Sequence, residues 1–402
     1  MRILIVWMLI GFFAGSAVVQ AQDSGVRDAG VVRVPPGAER RIQVDSSSPE
    51  LQRLLQRAFN LHGAFEVRTG GTVHFAFRFE PAGNNAVRLR IASGGQTLLE
   101  EAFQGRSQVE AALKAADYAV TRTTNLPGFF SGTVAYISSQ SGHPEVYLAD
   151  FLFTKTRRMT QDNGQALLPA LSPDGRSLLY TSYHRSGFPD IYKIDLTTNQ
   201  RTVFASYRGL NTGANYSPNG REVALILSGS GNSEVYVSNA NGGDMRRLTR
   251  TAGLEADPSW APSGRRLTYT SDELGKPQIF TINADGSGSR RIPTNISGNC
   301  SEPAWNPRDE NLIAFTAAMG REFEVCLWNF STQKSTVLTT GAGDAVGPVW
   351  LNDGRHLIYT ERTARTSRLV VIDSLTGKKN YLTSNEMGRC LMAEFAPVSI
   401  IH

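Results

Sequence analysis

Two carboxylates stand at the same position of a repeated phrase, where their spacing could support chemistry. Asp257 lies three residues before Trp260, and Glu302 lies three residues before Trp305. Carboxylates that a repeat brings together can bind a cation such as calcium or a basic segment of another protein. The four other equivalent positions are not acidic and hold Leu168, Gly213, Gly347 and Met392. Two acids out of six positions favour a binding scaffold over a hydrolase that needs several converging carboxylates.

Motifs of the common hydrolases are absent from the sequence. No G-x-S-x-G or H-E-x-x-H motif occurs. The histidines are scattered and define no metal site: His62, His74, His143, His184, His356 and His402. The three cysteines, Cys300, Cys326 and Cys390, fit no metal spacing, and an odd number leaves at least one thiol free. We therefore expect no catalytic residues, and cysteines that act as small buried apolar side chains.

The charge of the chain argues against a nucleic-acid partner. The formal net charge is +5, and the basic residues are spread along the chain. A nucleic-acid surface usually needs basic residues clustered on one face. We interpret the dispersed basic residues as part of a solvated surface, and we expect no nucleic-acid binding.

The phrase that carries the carboxylates recurs at a constant interval. Its turns begin at Ser172, Ser217, Ala261, Asn306 and Leu351, at steps of 44 or 45 residues. Each copy contains four short strand patterns, and a Pro–Gly turn such as "SPDG" separates the first from the second. A fixed period of about 40–50 residues built from short strands is typical of a β-propeller. Bulky aromatic residues at the end of the first strand are expected to form core between blades: Tyr216, Trp260, Trp305 and Trp350.

A sixth copy of the repeat is split between the two ends of the propeller. Residues 132–160 supply the second, third and fourth strands, and the first strand is missing upstream of them. The segment "LMAEFAPVSI" (391–400) matches the missing strand. The last strand is thus predicted to close the first blade, which removes the open edge of the ring. The fold class expected is mainly β, with a six-bladed β-propeller over residues 129–402.

Residues 22–128 do not follow the repeat and predict a small α/β domain. Ser48 and Pro49 can begin a helix whose apolar face includes Leu51, Leu55 and Phe59. The segments "TVHFAFRFE" (72–80) and "NAVRLRIAS" (85–93) form a predicted hairpin, and "SQVEAALKAADYAVTRTT" (107–124) a second helix.

The first residues are typical of a secretory signal peptide. Met1 and Arg2 precede an apolar stretch, Ile3 to Ala14, and a small residue stands at Ala21. We expect residues 1–21 to be removed by cleavage after Ala21. A retained membrane anchor is the alternative, but the stretch is short for a span of roughly 20 residues. The protein is expected to be exported and peripheral to a membrane at most.

The order of these features resembles the TolB family. The phrase SPDG-x-x-L-x-Y is similar to its WD40-like propeller repeat. The segments "GAFEV", "AALKAADYAV" and "LPGFFSGTVAYIS" resemble the family in the same order, so that the resemblance covers essentially the whole chain after the leader. It implies a periplasmic, monomeric, non-enzymatic interaction protein of the Tol–Pal system.

The resemblance also implies two partners. A peptidoglycan-associated lipoprotein would dock where the first strands begin, near the central channel. A TolA-like inner-membrane protein would engage the N-terminal region, although "QDSGVRDAGVVRVPPG" shows no clear match to the family segment that does so. The complex would support outer-membrane integrity and cell division. The residues expected at the lipoprotein site are Leu210, Asn211, Gly213, Glu255, Asp257, Glu302 and Asp344.

Two other functions stay open from the sequence. One is a calcium-dependent propeller hydrolase that uses channel carboxylates, and the other is a propeller that binds glycans on its own. A glycan site would need solvent-facing aromatic residues, whereas the Trp series stands at expected core positions. No cofactor is expected, with calcium in the propeller channel as the one open case.

Overall fold

The N-terminal part of the protein is a five-stranded sheet with two helices. The computed structural model describes residues 39–185, 187–341 and 343–401, so the expected signal peptide (1–21) and the segment "QDSGVRDAGVVRVPPG" (22–37) lie outside the described residues. The strands are β1 (Arg40–Ser46), β2 (Phe65–Val67), β3 (Phe75–Pro81), β4 (Ala86–Ser93) and β5 (Gln96–Gln104), and the helices are α1 (Pro49–Leu61) and α2 (Gln108–Thr124). The sheet order is β2-β1-β3-β4-β5, with β1 parallel to both neighbours and the rest antiparallel.

Both helices begin at the serines expected from the sequence. Ser48 accepts a hydrogen bond from the backbone of Leu51, and Ser107 accepts one from the backbone of Glu110. These bonds satisfy amide groups that have no partner inside the helix. Phe59 on the buried face of α1 packs between the rings of Phe65, Phe77, Phe79 and Phe130. The helices and the β3–β4 hairpin were expected from the sequence, whereas β1, β2 and β5 were not.

Six antiparallel sheets of four strands follow, and we number them as blades in chain order. The first blade is β6 (Thr133–Ser138), β7 (Glu145–Asp150), β8 (Thr156–Arg158) and β29 (Cys390–Ala396). The second is β9 (Ala166–Leu171), β10 (Ser177–Ser182), β11 (Asp190–Asp195) and β12 (Arg201–Ala205). The third is β13 (Asn211–Tyr216), β14 (Glu222–Leu227), β15 (Glu234–Asn239) and β16 (Arg246–Arg247).

The remaining blades repeat this pattern. The fourth is β17 (Glu255–Trp260), β18 (Arg266–Ser271), β19 (Gln278–Asn283) and β20 (Arg290–Arg291). The fifth is β21 (Cys300–Trp305), β22 (Leu312–Met319), β23 (Glu322–Asn329) and β24 (Lys334–Val337). The sixth is β25 (Asp344–Trp350), β26 (His356–Arg362), β27 (Ser367–Asp373) and β28 (Lys379–Tyr381), with a short 3₁₀ turn, Asn385–Met387, before β29.

The last strand of the chain closes the first blade. Cys390 pairs with Ser138 and Phe395 pairs with Val134, antiparallel, so that β29 lies beside β6. The split blade and the count of six expected from the sequence are confirmed. The three cysteines are free and buried.

The recurring aromatic residues lie in the core between neighbouring blades. Trp260 is 5% exposed and packs with Ile226 and Val235 of the preceding blade. Its indole N–H donates to the carbonyl oxygen of Asn215, 3.1 Å away in that blade. Trp350 repeats this contact with the carbonyl of Ala304. These side chains therefore join adjacent sheets, as expected. Within the described ranges, no helix is long and apolar enough to cross a membrane.

Candidate functional site

A cavity of about 440 Å³ lies where the first strands of the six blades meet. Each first strand lines it from its third residue, or its fourth in the sixth blade, to the turn that follows, as from Asp257 to Pro262 in the fourth blade. The innermost strands of a propeller surround its axis, so this cavity is the central channel. The six strand positions that the sequence repeat made equivalent all line it: Leu168, Gly213, Asp257, Glu302, Gly347 and Met392.

These six positions share an unusual backbone conformation. Each has a positive φ, from 49° at Leu168 to 63° at Gly213. Strand pairing shifts register at the same place in every blade, which is the signature of a β-bulge. A left-handed backbone costs a non-glycine residue roughly 1 kcal/mol or more. Asp257 and Glu302 adopt this strained conformation, and their side chains project from the bulge towards the channel.

The two bulge carboxylates form a hydrogen-bonded chain across three blades. Thr270 donates to Asp257 over 3.1 Å and accepts from the backbone N–H of Glu302, also over 3.1 Å. The Glu302 carboxylate in turn accepts from Thr316 at 2.6 Å and from the backbone N–H of Gly347 at 2.8 Å. Burial raises the pKa of Asp257 to about 6, and the charge of Glu302 adds to this effect. These bonds hold both carboxylates in place and use one oxygen of each, Asp257 Oδ2 and Glu302 Oε2.

A third carboxylate in the channel was missed by the sequence reasoning. Glu394 lies on β29, two residues beyond the bulge, and lines the cavity. Within the described chain it makes no hydrogen bond, and burial raises its pKa to about 8. The equivalent residues of the other blades are Ala170, Asn215, Ser259, Ala304 and Val349, so no repeated acid marked the position. Among the described residues lining the channel there is no Lys, Arg or His.

Two of the residues expected at the partner site have buried side chains. The Asn211 amide accepts from the backbone N–H of Tyr207 and donates to the carbonyl of the same residue, both at 2.8 Å. Glu255 accepts from Thr251 at 2.7 Å and from Ser271 at 2.8 Å. Burial raises the pKa of Glu255 to about 7. These side chains hold the loops that enter the first strands and do not face the channel.

The other expected residues divide between the channel and its rim. Gly213, Asp257 and Glu302 line the cavity, whereas Leu210 and Asp344 do not. The Asp344 carboxylate accepts from Arg362 at 2.9 Å and from the backbone N–H of Phe323 at 3.0 Å. The structure therefore brings three of the seven residues together around the channel.

A buried histidine cluster joins α1 to the sixth blade, and it was not predicted from the sequence. The possible ligand atoms of His62, Asp353 and His356 lie within 4.8 Å of one another. His356 donates through Nδ1 to Asp353 at 2.6 Å, and its Nε2 accepts from the backbone N–H of Gly63 at 3.0 Å. Both ring nitrogens of His356 are thus used. Asp373 beside them is held by Arg355 through contacts of 2.6–3.0 Å.

The chemistry of this cluster favours a structural role over a metal site. His62 is completely buried, and burial holds its pKa well below the usual range, with the neighbouring His356 and Arg355 adding to the effect. A cation bound there would face the same desolvation and the same Arg355 charge. The Asp353–His356 pair cannot act as an acid–base pair on a substrate, because Gly63 covers the nitrogen that would exchange the proton. Through the bond between Gly63 and His356, the cluster holds the α/β region against the propeller.

The chain is similar in sequence to a known protein family and to named relatives. The family profile described as the TolB beta propeller domain (PD40) matches residues 120–394, more than half of the chain. The Tol-Pal system protein TolB of Desulfosudis oleivorans is 39% identical over 130 residues, which are 32% of this chain and 29% of that protein. The Tol-Pal system protein TolB of Francisella tularensis subsp. mediasiatica is 28% identical over 145 residues, 34% of this chain and 33% of that protein. The matched segments thus span about a third or less of these relatives.

A solved structure supports the fold over a longer range. The crystal structure of TolB from Acinetobacter baumannii aligns with a TM-score of 0.80 and 21% identity, and the alignment covers 91% of this chain and 98% of that one. At this identity the likeness concerns the fold alone. The profile match and the shared architecture of six blades after an α/β region lead to one conclusion. The chain belongs to the TolB β-propeller domain family.

Proposed function

We propose that this protein is a periplasmic component of a Tol–Pal system that works by binding other proteins and catalyses no reaction. Membership of the TolB β-propeller domain family supports the proposal, and so do the names of the relatives, Tol-Pal system protein TolB. The sequence points the same way, since it contains neither of the common hydrolase motifs G-x-S-x-G and H-E-x-x-H.

The observation that carries the proposal is the acidic channel. Asp257, Glu302 and Glu394 converge on a cavity whose described lining contributes no positive charge. Low-dielectric walls focus the field of charges of one sign and attract groups of the opposite sign. The bulge carboxylates lie at the end of the cavity nearer the face where the first strands begin. That end suits a basic segment of a partner protein.

Exposed apolar side chains lie on the same face of the propeller. Tyr207 and Leu254 are in the loops that enter the third and fourth blades, and they are 49% and 55% exposed. Leu274, in the adjacent loop between β18 and β19, is 62% exposed. An acidic centre beside apolar loops is the composition expected of a protein-binding surface. We assign this face to a peptidoglycan-associated lipoprotein.

Two further elements of the proposal rest on family resemblance. A TolA-like inner-membrane protein would bind the N-terminal region, and the complex would support outer-membrane integrity and cell division.

Calcium is the cation that the channel carboxylates would bind. The metal needs six to eight oxygen ligands, and Asp257 and Glu302 each already accept hydrogen bonds through one oxygen. A calcium site would therefore require backbone oxygens or water as well, and no step of the proposed binding depends on it.

A double charge reversal tests the assignment of the channel. We expect Asp257→Lys combined with Glu302→Lys to weaken binding of a purified peptidoglycan-associated lipoprotein at least about tenfold, since charges near an interface centre control both encounter and retention. The matched control is Glu100→Lys with Asp285→Lys, two exposed acids away from the channel. Circular dichroism must show both variants folded. Unchanged lipoprotein affinity in the folded channel variant would remove these residues from the site.

A further inference from the structure

Two blades contain the same buried ion pair between their outer strands. In the first blade, Arg158 on β8 lies 3.1 Å from the Glu145 carboxylate at the start of β7. In the third blade, Arg247 on β16 forms the equivalent pair with Glu234 at the start of β15. Both glutamate side chains are fully buried. In each blade the arginine Nε also donates to the carbonyl of a threonine two residues further on. In these two blades the arginine at this position is therefore neutralised.

The fourth blade keeps the arginine and loses its partner. Arg291 pairs with Phe280 in the strand register, as Arg158 pairs with Tyr147 and Arg247 with Tyr236. The residue in place of the glutamate is Gln278, which is neutral, and Pro293 replaces the threonine.

The contacts of Arg291 are correspondingly weak. Within the described chain its guanidinium makes one hydrogen bond, 3.5 Å long, to the Gln278 amide oxygen. The amide nitrogen of Gln278 donates to the carbonyls of Pro277 and Gly298 instead, both at 2.8 Å. Arg291 is exposed and its positive charge is not neutralised.

A cleft of about 500 Å³ lies beside this arginine, between the outer strands of the fourth blade and the loop that enters the fifth. It shares no lining residue with the central channel. A second cation, Lys276, lines it, and the described lining contains no carboxylate. The full lining is Leu274, Gly275, Lys276, Gln278, Arg291, Asn295, Ser297 and Gly298. Two positive charges and several small polar groups thus face one open volume.

We propose that this cleft binds the carboxylate of an apolar ligand, such as the C-terminal residue of a peptide. The planar guanidinium of Arg291 matches the two oxygens of a carboxylate, and Lys276 adds a second positive charge. The 62% exposed Leu274 offers an apolar surface for the side chain beside that carboxylate. A phosphate would use the two cations and leave Leu274 without a role, which favours the carboxylate.

Titration with a short peptide tests the proposal. The probe is a dye-labelled Gly-Gly-Leu-Leu peptide with a free C-terminal carboxylate, followed by fluorescence anisotropy against the full chain. For a site of this size we expect a dissociation constant on the order of 1 mM or lower. Amidation of the peptide C terminus and the Arg291→Gln substitution should each weaken binding about tenfold or more, as loss of a charge-assisted pair does. The control, Arg290→Gln, changes an exposed arginine of the same strand that does not line the cleft and should bind as the wild type does.

A second variant uses the repeat itself. Gln278→Glu restores the pairing of the first and third blades, so that Arg291 is neutralised from within and peptide binding should be lost. If this glutamate disturbs the backbone contacts of Gln278, Arg291→Gln still decides the matter, because it leaves Gln278 unchanged. The proposal is overturned if the carboxylate peptide does not bind, or if Arg291→Gln binds it with wild-type affinity. Competition by inorganic phosphate at lower concentration than by acetate would also overturn the carboxylate assignment and identify a phosphate site.

Discussion

The Glu394→Gln substitution should stabilise the protein, and only at high pH. Burial raises the pKa of Glu394 from 4.5 to about 8. Below pH 4.5 the group is protonated in the folded and unfolded states alike, so that it costs nothing. As pH rises from 4.5 to 8 the unfolded state ionises first, and the free energy of unfolding falls. Above pH 8 the loss is complete.

The size of this effect follows from the same interval. At 1.36 kcal/mol for each pH unit, the interval from 4.5 to about 8 corresponds to at most about 5 kcal/mol. Water in the open channel reduces the cost, so we expect about 1–3 kcal/mol. Glutamine has nearly the same shape and no charge. The variant should therefore exceed the wild type by this amount at pH 8.5 and nearly match it at pH 4, where the carboxyl is mostly protonated in both states.

Urea denaturation at pH 4 and pH 8.5 measures the difference. The control is Glu386→Gln, which removes an exposed carboxylate outside the channel and accounts for the change in net charge. A difference between Glu394→Gln and the wild type that is equal at both pH values would refute the reasoning, as would a more stable wild type at pH 8.5. If the prediction is correct, the protein keeps a destabilising acid in its channel, which fits a binding role for that residue.

The remaining predictions concern the junction and the cysteines. Gly63→Ala should lower Tm by at least about 5 °C, because its Cβ would lie 2.1 Å from a carboxylate oxygen of Asp373. Gly70→Ala, where a Cβ meets nothing within 4 Å, should leave Tm nearly unchanged, and equal Tm values for both variants would contradict the packing described. Burial raises the pKa of the Cys326 thiol to about 12 and that of Cys390 to about 11, so a thiol reagent should react slowly with the native protein and with three thiols after unfolding. Rapid reaction of the native protein would show that these thiols are exposed.

The propeller could be predicted from the sequence because its repeat has a nearly constant period. A bulge that recurs in each first strand places Asp257 and Glu302 at the same height around the axis, because their distance from Trp260 and Trp305 is the same. Hydrophobic spacing likewise marked the first helix, and its N-cap was recognised from Ser48 followed by Pro49. These features are local or periodic, and local pattern is what a single sequence reveals.

The features that the sequence did not reveal depend on contacts without a period. Glu394 lies in the blade assembled from both ends of the chain, at a position where the other blades have uncharged residues. Gly63 and His356 are 293 residues apart, and only the packing of α1 against the sixth blade brings them together. Strand β1 contains only two apolar residues, Ile42 and Val44, among polar ones. It becomes a strand because it pairs with both β2 and β3 and buries these two side chains. Such contacts follow from tertiary packing, which overrides weak local preference.

Crosslinking in the native envelope tests the central claim most directly. A photoreactive residue at Leu254, on the apolar loops beside the channel, would be activated in cells and the captured protein identified by mass spectrometry. The same residue at Leu375, exposed on the turn between β27 and β28 and away from that face, provides the control. The assignment of this face to the lipoprotein predicts that a peptidoglycan-associated lipoprotein is captured at Leu254 and not at Leu375. Capture of no lipoprotein at Leu254 by a protein that is folded and present in the periplasm would contradict it.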